Sequence, residues 1–231
     1  MSTLYIIGTP IGNLGDISFR AAEILKTVDL VACEDTRRTL KLLNRLGLRI
    51  PLLSCRAQNE GPAAEKLIAA LNEGKTLAYA SDAGTPGLSD PGAVLARLAA
   101  EAGHEVIPIP GPSAFASLVS VAGGLDKTVV FEGFLSPKTG RRRSRLKELL
   151  DLGAAFVLYE SPHRILKLFE DLADLDNGRY VCVGREMTKA HEEYLRGSVT
   201  EILLVLQKKG KQIGEFSVFV SGKNANNRVN Y

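Results

Sequence analysis

Residues 4–34, LYIIGTPIGNLGDISFRAAEILKTVDLVACE, read as strand, helix, strand. LYIIG (4–8) and DLVACE (29–34) are short apolar runs of strand type, and FRAAEILKTV (19–28) between them carries its apolar residues at helical spacing. The rhythm continues through RRTLKLLNRLG (37–47), LLSC (52–55), PAAEKLIAALNEG (62–74), TLAYAS (76–81), DPGAVLARLAAEAG (90–103), EVIPIP (105–110) and PSAFASLVSVAG (112–123). Gly47, Gly74, Gly103 and Gly123 each stand just past a periodic segment, where helices commonly end on a residue with positive φ. Five strands joined by helices predict a mostly parallel sheet covered on both faces.

After the connector GGLDK (123–127) the order of elements changes. TVVFEGFL (128–135), a basic helix (139–150), AAFVLYES (154–161), HRILKLFEDLA (163–173) and YVCVGRE (180–186) lead to EEYLRGS (192–198), the helix VTEILLVLQKK and EFSVFVS (215–221). Two of these strands follow one another without a helix, which predicts a mixed sheet. The expected architecture is therefore α/β in two domains, 1–123 and 124–231, with KNANNRVNY (223–231) as a disordered tail.

Composition narrows the class. The 231 residues are 45% hydrophobic, 24% charged and 6% aromatic, which excludes a disordered or fibrous chain. No apolar run approaches the roughly 18 residues of a membrane span, and the N-terminus lacks the features of a signal peptide, so a soluble, cytoplasmic protein without membrane contact is expected. Cys33, Cys55 and Cys182 are odd in number and never in CxxC spacing, which favours buried free thiols. His104, His163 and His191 are scattered, and no metal site is expected. Up to Leu125 there are 11 Lys+Arg against 12 Asp+Glu, and from Asp126 onward 18 against 14. The surplus concentrates in SPKTGRRRSRLK, a composition suited to a polyanion or, equally, to a solvated helix face.

Glycine and proline cluster in GTPIGN (8–13), SDAGTPGLSDPG (81–92) and PIPGPSA (108–114), which follow the first, fourth and fifth strands. In a parallel sheet these loops emerge at one carboxyl edge, where ligands bind. Such loops either punctuate turns or offer rigid, bare backbone to a small molecule. Neither GxGxxG after the first strand nor GxxxxGK[ST] anywhere is present, which argues against dinucleotide and triphosphate ligands. The loops hold Asp82 and Asp90 but no lysine or arginine, and so suit a ligand with amine, hydroxyl and sulfonium groups, such as S-adenosylmethionine. Asp82 is the expected acceptor, with backbone of Gly84-Thr85 and Ser113-Ala114 beside it. Asp90, before Pro91-Gly92, reads as the N-cap of the next helix.

Taken in order, LYIIGTPIGNLGDISFRA, ACEDTRRTLKLL, YASDAGTPGLSDPG, PIPGPSA, FEGFLSPK, YESPHR and GREMTKAHEEYLRG resemble the tetrapyrrole methylase superfamily, and within it the bacterial ribosomal RNA small subunit methyltransferase I family. The resemblance covers nearly the whole chain. It implies two α/β domains with S-adenosylmethionine in the cleft between them, a homodimer, and 2′-O-methylation of a cytidine in 16S rRNA of the small ribosomal subunit. It also adds Pro10 of GTPIGN and Tyr159 of YESPHR to the cofactor set. Two departures stand out: SCRAQNE (54–60) has Cys55, Arg56 and Gln58 where aromatic or histidine residues are expected, and many relatives continue further after GEFSVFVSG.

Methyl transfer to a ribose hydroxyl is an in-line displacement on an activated methyl group, so positioning carries much of the catalysis. Lys189, His163 and Glu186 are the expected catalytic residues, with Glu160 behind them; Lys189 needs a lowered pKa to act as a base, and an ordinary salt-bridged loop explains Arg185, Glu186 and Lys189 almost as well. Glu34 or Asp35 either orients substrate or simply starts a helix. His163 and Arg164 open a helix whose dipole they oppose, a local misfit of the kind that marks functional positions. Arg141, Arg142, Arg143, Arg145 and Arg164 are the expected RNA contacts, through phosphates rather than stacked bases because aromatic residues are sparse in the basic run. Two other functions share these features: methylation of a small tetrapyrrole-like substrate, and RNA binding without catalysis.

Overall fold

The computed structural model describes residues 1–56, 58–124 and 127–223. The chain divides into two compact units, Met1–Ser113 and Ala114–Tyr231. This division falls before the connector rather than within it, because the helix preceding the connector packs on strands of the second unit. Leu125 and Asp126 of the connector, and all of the expected tail except Lys223, lie outside the described residues.

In the first unit, β1 (Thr3–Ile7), β2 (Leu30–Cys33), β3 (Leu52–Ser54), β4 (Leu77–Ala80) and β5 (Glu105–Ile109) alternate with α1 (Phe19–Leu25), α2 (Thr36–Leu46), α3 (Glu60–Asn72) and α4 (Ala93–Glu101). The strands form one parallel sheet in the order β3-β2-β4-β1-β5. β4, fully buried, shows how its sequence LAYA serves two faces. Leu77 and Tyr79 join a core with Leu67 and Leu71 of α3 and Leu95 of α4, while Ala78 and Ala80 join Ala21 and Leu25 of α1 and Leu43 of α2. Gly47, Gly74 and Gly103 end helices with φ of 70°, 91° and 81°, as their positions predict.

The second unit holds α5 (Ala114–Ala122), β6 (Val129–Phe134), α6 (Thr139–Asp151), β7 (Ala155–Glu160), α7 (Ile165–Asp176), β8 (Tyr180–Arg185), β9 (Glu193–Ser198), α8 (Val199–Lys209) and β10 (Phe216–Val220). Its sheet runs β6-β7-β10-β8-β9 and is mixed: β6 and β7 are parallel and the remaining pairs antiparallel. One face packs on α6, α7 and α8 through Phe156, Leu158, Val181, Val183 and Val218; α5 lies against β8 and β10. The three cysteines are buried and free. No helix among the described residues is long and apolar enough to cross a membrane.

Candidate functional site

All five strands of the first unit point the same way, so the segments after β1, β2, β3, β4 and β5 share one edge. The three glycine- and proline-rich loops converge there, tied by backbone. Thr9 N–H donates to the Gly84 carbonyl at 2.9 Å, and Gly84 N–H returns to the Thr9 carbonyl at 3.0 Å. The Thr9 hydroxyl donates to the Ser81 carbonyl at 3.1 Å and the Ser81 hydroxyl to the Gly84 carbonyl at 3.1 Å. Gly8 and Gly111 pass so close that a Cβ on Gly8 would lie 2.8 Å from the Gly111 nitrogen, and one on Gly111 would collide with the Gly8 carbonyl. Only glycine permits this crossing. The bridge occupies the expected Gly84 contact: both backbone groups of Gly84 are bonded to Thr9, while Thr85 beside it is exposed. Pro10 is buried behind the bridge, Ser113 ends the first unit, and half-buried Ala114 begins α5.

Beside these loops Glu34, Asp35, Arg37, Arg56, Gln58, Asp82, Ser89, Asp90 and Pro91 line a cavity of about 340 Å³. Its carboxylates are cross-linked through the backbone: Asp82 accepts from Asp35 N–H at 2.9 Å, and Glu34 accepts from Asp82 N–H at 3.0 Å. Arg38 lies 3.5 Å from Asp82, and Arg56 donates to the Glu34 carbonyl at 3.0 Å. Asp35 caps α2 by accepting from Arg37 N–H, so of the two readings of CEDTR the helix start holds for Asp35, while Glu34 and Asp82 face each other. Asp90 does not cap α4. That cap is Gly92, at φ 117° and packed so tightly on Tyr79 that a Cβ would lie 2.7 Å from the ring; its N–H donates to Glu60 at 3.0 Å. The sequence rule fails because Pro91-Gly92 turns the chain between Asp90 and the helix.

Burial, and after it the charges of Glu34 and Asp82, push the Asp90 carboxyl up to about 6; burial likewise raises Glu34. A carboxyl raised in the folded state holds its proton more tightly there than in the unfolded chain. Stability therefore falls as pH climbs from the ordinary 3.8 towards 6, and the loss is constant above that. Asp90→Asn should stabilise the protein by about 1–2 kcal/mol at pH 8, solvent screening at this half-buried carboxyl limiting the gain, which shrinks towards zero near pH 4. Urea unfolding of variant and parent at the two pH values checks this, and a pH-independent difference would contradict it.

In the second unit β7 and β8 end on either side of the start of β10, with Glu160 opposite Phe216 and Phe216 opposite Arg185. Tyr159, His163, Arg164, Glu186 and Lys189 therefore gather at one sheet edge. Arg164 ion-pairs with the buried Glu160 at 2.7 Å and donates to the Leu135 carbonyl at 3.3 Å. This neutralisation resolves the misfit of an arginine at the start of α7. His163 is exposed. Glu186 and Thr188 adopt left-handed φ of 50° and 65°, and Glu186 accepts from Lys189 at 2.7 Å and from Glu215 N–H at 2.9 Å. Gly214 is required behind it, since a Cβ there would strike the Glu186 side chain. Burial pulls the Lys189 ammonium down, but hydrogen bonds to Glu186 and to Glu215 at 3.0 Å outweigh it and leave the group above its ordinary value. Of the two readings of this loop, the salt-bridged one describes how Lys189 is held: its ammonium is paired with Glu186 and Glu215. Glu215, which the sequence reading missed, was signalled only by the Gly214-Glu215 pair opening β10.

The basic helix α6 also needs correction. Arg142 is 2% exposed and its guanidinium donates to Asp171 of α7 at 2.7 Å, so it is a core residue with no surface for a phosphate. Arg143 pairs with Asp171 and Asp174, and Arg145 with Glu132 and Glu148. Arg141 and Lys138 are exposed and have no ion-pair partner among the described residues. Among those residues no group of three or more histidine, cysteine or acidic side chains is placed to hold a metal.

A parallel sheet with glycine-rich loops at one edge, followed by a mixed-sheet unit, has known counterparts. The family model of tetrapyrrole (corrin/porphyrin) methylases matches residues 3–203. A solved cobalt precorrin-4 methyltransferase, an enzyme of cobalamin biosynthesis, superposes with a TM-score of 0.68 over 95% of this chain and 94% of its own, at 17% identity. The chain belongs to the tetrapyrrole methylase family and is by class a methyltransferase. Its nearer kin lie in one branch. The ribosomal RNA small subunit methyltransferase I of Borrelia garinii subsp. bavariensis is 45% identical over 219 residues, 94% of this chain and 98% of the relative. The protein of that name from Thermotoga maritima is 44% identical over 223 residues, 96% of this chain and 100% of the relative. Within the family, the chain groups with the ribosomal RNA small subunit methyltransferases I.

Proposed function

We propose that the protein methylates the 2′-hydroxyl of a cytidine in 16S rRNA of the small ribosomal subunit, with S-adenosylmethionine as donor, acting as a cytoplasmic homodimer. The observation that carries this reading is the identity of 44–45% to small-subunit rRNA methyltransferases over almost the full length of both chains. The donor fits the residues present. A cationic ligand suits an edge bearing Glu34, Asp82 and Asp90, and the Gly8–Gly111 crossing keeps side chains out of its path. Pro10, Asp82, Thr85, Ser113, Ala114 and Tyr159 are the proposed binding residues, with no metal. The bound donor supplies a methyl group on a sulfonium, which leaves as the thioether when the carbon–oxygen bond forms.

For the chain's own residues the chemistry is chiefly positioning. Exposed His163 is the proposed acceptor of the hydroxyl proton, and Glu186 with Lys189 holds the neighbouring loop in its left-handed conformation. Arg141 is the proposed phosphate contact. Arg141→Ser should flatten the log–log salt dependence of RNA affinity by a little under one unit, since one fewer phosphate is neutralised. Filter binding over a salt series checks this, and an unchanged slope would remove Arg141 from the footprint.

The function is tested by tritium transfer from labelled S-adenosylmethionine to purified small subunits lacking the modification. Label on RNA ribose is expected. Label confined to a small tetrapyrrole-like acceptor, or RNA binding without transfer, would replace this reading with one of the two others.

A further inference from the structure

The first strand of the second unit carries an irregularity that re-aims an aromatic side chain. β6 pairs with β7 from Val129 opposite Ala155 to Phe131 opposite Val157, then resumes with Gly133 opposite Leu158 and Phe134 opposite Tyr159. Glu132 is the extra residue. In a regular strand residues 131 and 134 would face opposite sides of the sheet; with Glu132 bulged out, both stand on the side of Tyr159. The result is a chain of edge-to-face rings. Phe115 and Phe131 lie 5.3 Å apart between centroids, Phe131 and Tyr159 5.1 Å, and Tyr159 and Phe134 5.7 Å, with interplanar angles of 65–67°. Arg145 holds the bulge by two 2.8 Å hydrogen bonds to the Glu132 carboxylate.

The chain of rings ends in solvent. Phe134 is 58% exposed although its ring packs edge-to-face on Tyr159. A lone exposed phenylalanine carries no message, and Phe19, 95% exposed with no ring partner among the described residues, is of that kind. Phe134 differs in its fixed ring neighbour, in its place on the edge that carries Tyr159 and Arg164, and in its charge surroundings. Lys138 and Arg141, exposed and without a carboxylate partner among the described residues, follow it within seven residues.

We propose that Phe134 is a stacking platform for an unpaired base of the RNA substrate, with Lys138 and Arg141 meeting the phosphates that flank that base. Every base has a π-face, so a positioned ring beside free cations recognises single-stranded nucleic acid without reading its sequence. The inference rests on the reading of the protein as an RNA methyltransferase. It adds a base contact to the phosphate contacts the sequence favoured: the rings come from α5, β6 and β7 and gather only in the fold.

Purified small ribosomal subunits lacking the modification are the probe, with Phe134→Ala, Phe134→Leu and Phe134→Trp compared with the parent. The KM for subunits should rise about tenfold or more for the alanine and leucine variants and return to the parental value for tryptophan, as expected for loss and restoration of one base–ring stack. Affinity for S-adenosylmethionine and the thermal unfolding profile should match the parent in all three. If Phe134→Leu keeps the parental KM, an apolar surface suffices and the proposal fails. If Phe134→Ala instead alters the sedimentation coefficient with KM unchanged, the ring belongs to contacts between copies of the chain and the proposal fails equally. A parent that transfers no label to subunits overturns the functional reading and this inference together, whereas an active parent with unaffected variants overturns the inference alone.

Discussion

Asp171→Asn is expected to cost about 3–5 kcal/mol of stability, the range for leaving one member of a buried ion pair without its partner. The side chains of Arg142 and Asp171 are only 3% and 7% exposed. Asparagine keeps an acceptor oxygen but no charge, so the Arg142 guanidinium loses its anionic partner and is left, among the described residues, with neutral acceptors such as the Pro137 carbonyl at 3.4 Å and the Thr139 hydroxyl at 3.5 Å. The converse change is milder. After Arg142→Ala, Asp171 still has Arg143 at 3.0 Å, and a loss of about 2–3 kcal/mol is expected. Combining Arg142→Met with Asp171→Leu should recover most of the loss, because the double change removes both buried charges and fills their space with apolar side chains. Urea unfolding of the three variants checks the ranking; equal losses for Asp171→Asn and Arg142→Ala would show that Arg143 does not support Asp171. RNA-binding defects in Arg142 variants would then report a loosened second unit rather than a lost phosphate contact.

Gly111→Ala is expected to cost about 3 kcal/mol or more and to abolish binding of S-adenosylmethionine. The added methyl would collide with the backbone of Gly8, which has no rotamer by which to yield. The two loops must part, and the hydrogen bond from Gly8 N–H to the Ile109 carbonyl at 3.0 Å is strained with them. Gly61→Ala serves as the control. Gly61 lies in α3 with open space where a methyl group would go and no positive φ, so that change should stabilise by up to about 1 kcal/mol. Thermal unfolding and calorimetric titration separate the cases, and a Gly111→Ala protein that binds like its parent would show that the crossing does not shape the ligand edge.

Both sheets were legible because apolar periodicity and glycine stops report local structure, and the loops after β1, β4 and β5 followed from topology. The fate of Arg142 was also legible, though only by spacing. Arg142, Leu146, Leu149 and Leu150 form one helical stripe, and all are buried. Its charge argued for the surface, but its phase placed it inside. Asp90 was not legible, because its environment is made by Glu34 and Asp82 from two other segments. The pairing of Lys189 was half legible: of its carboxylate partners, Glu186 is three residues away, but Glu215 is brought in by β10.

The bulge at Glu132 makes β6 a segment whose length is counted by parity. Removing the bulged residue alone would leave Gly133 opposite Leu158 and Phe134 opposite Tyr159 with every face unchanged, whereas removing two residues between Phe131 and Phe134 would turn every later side chain of the strand over. After the two-residue loss Leu135, now 4% exposed among Leu146 and Leu149, would exchange sides with its neighbours. Among related chains, a gap in this stretch should therefore be of one residue, at the bulge, while gaps of two residues should avoid it.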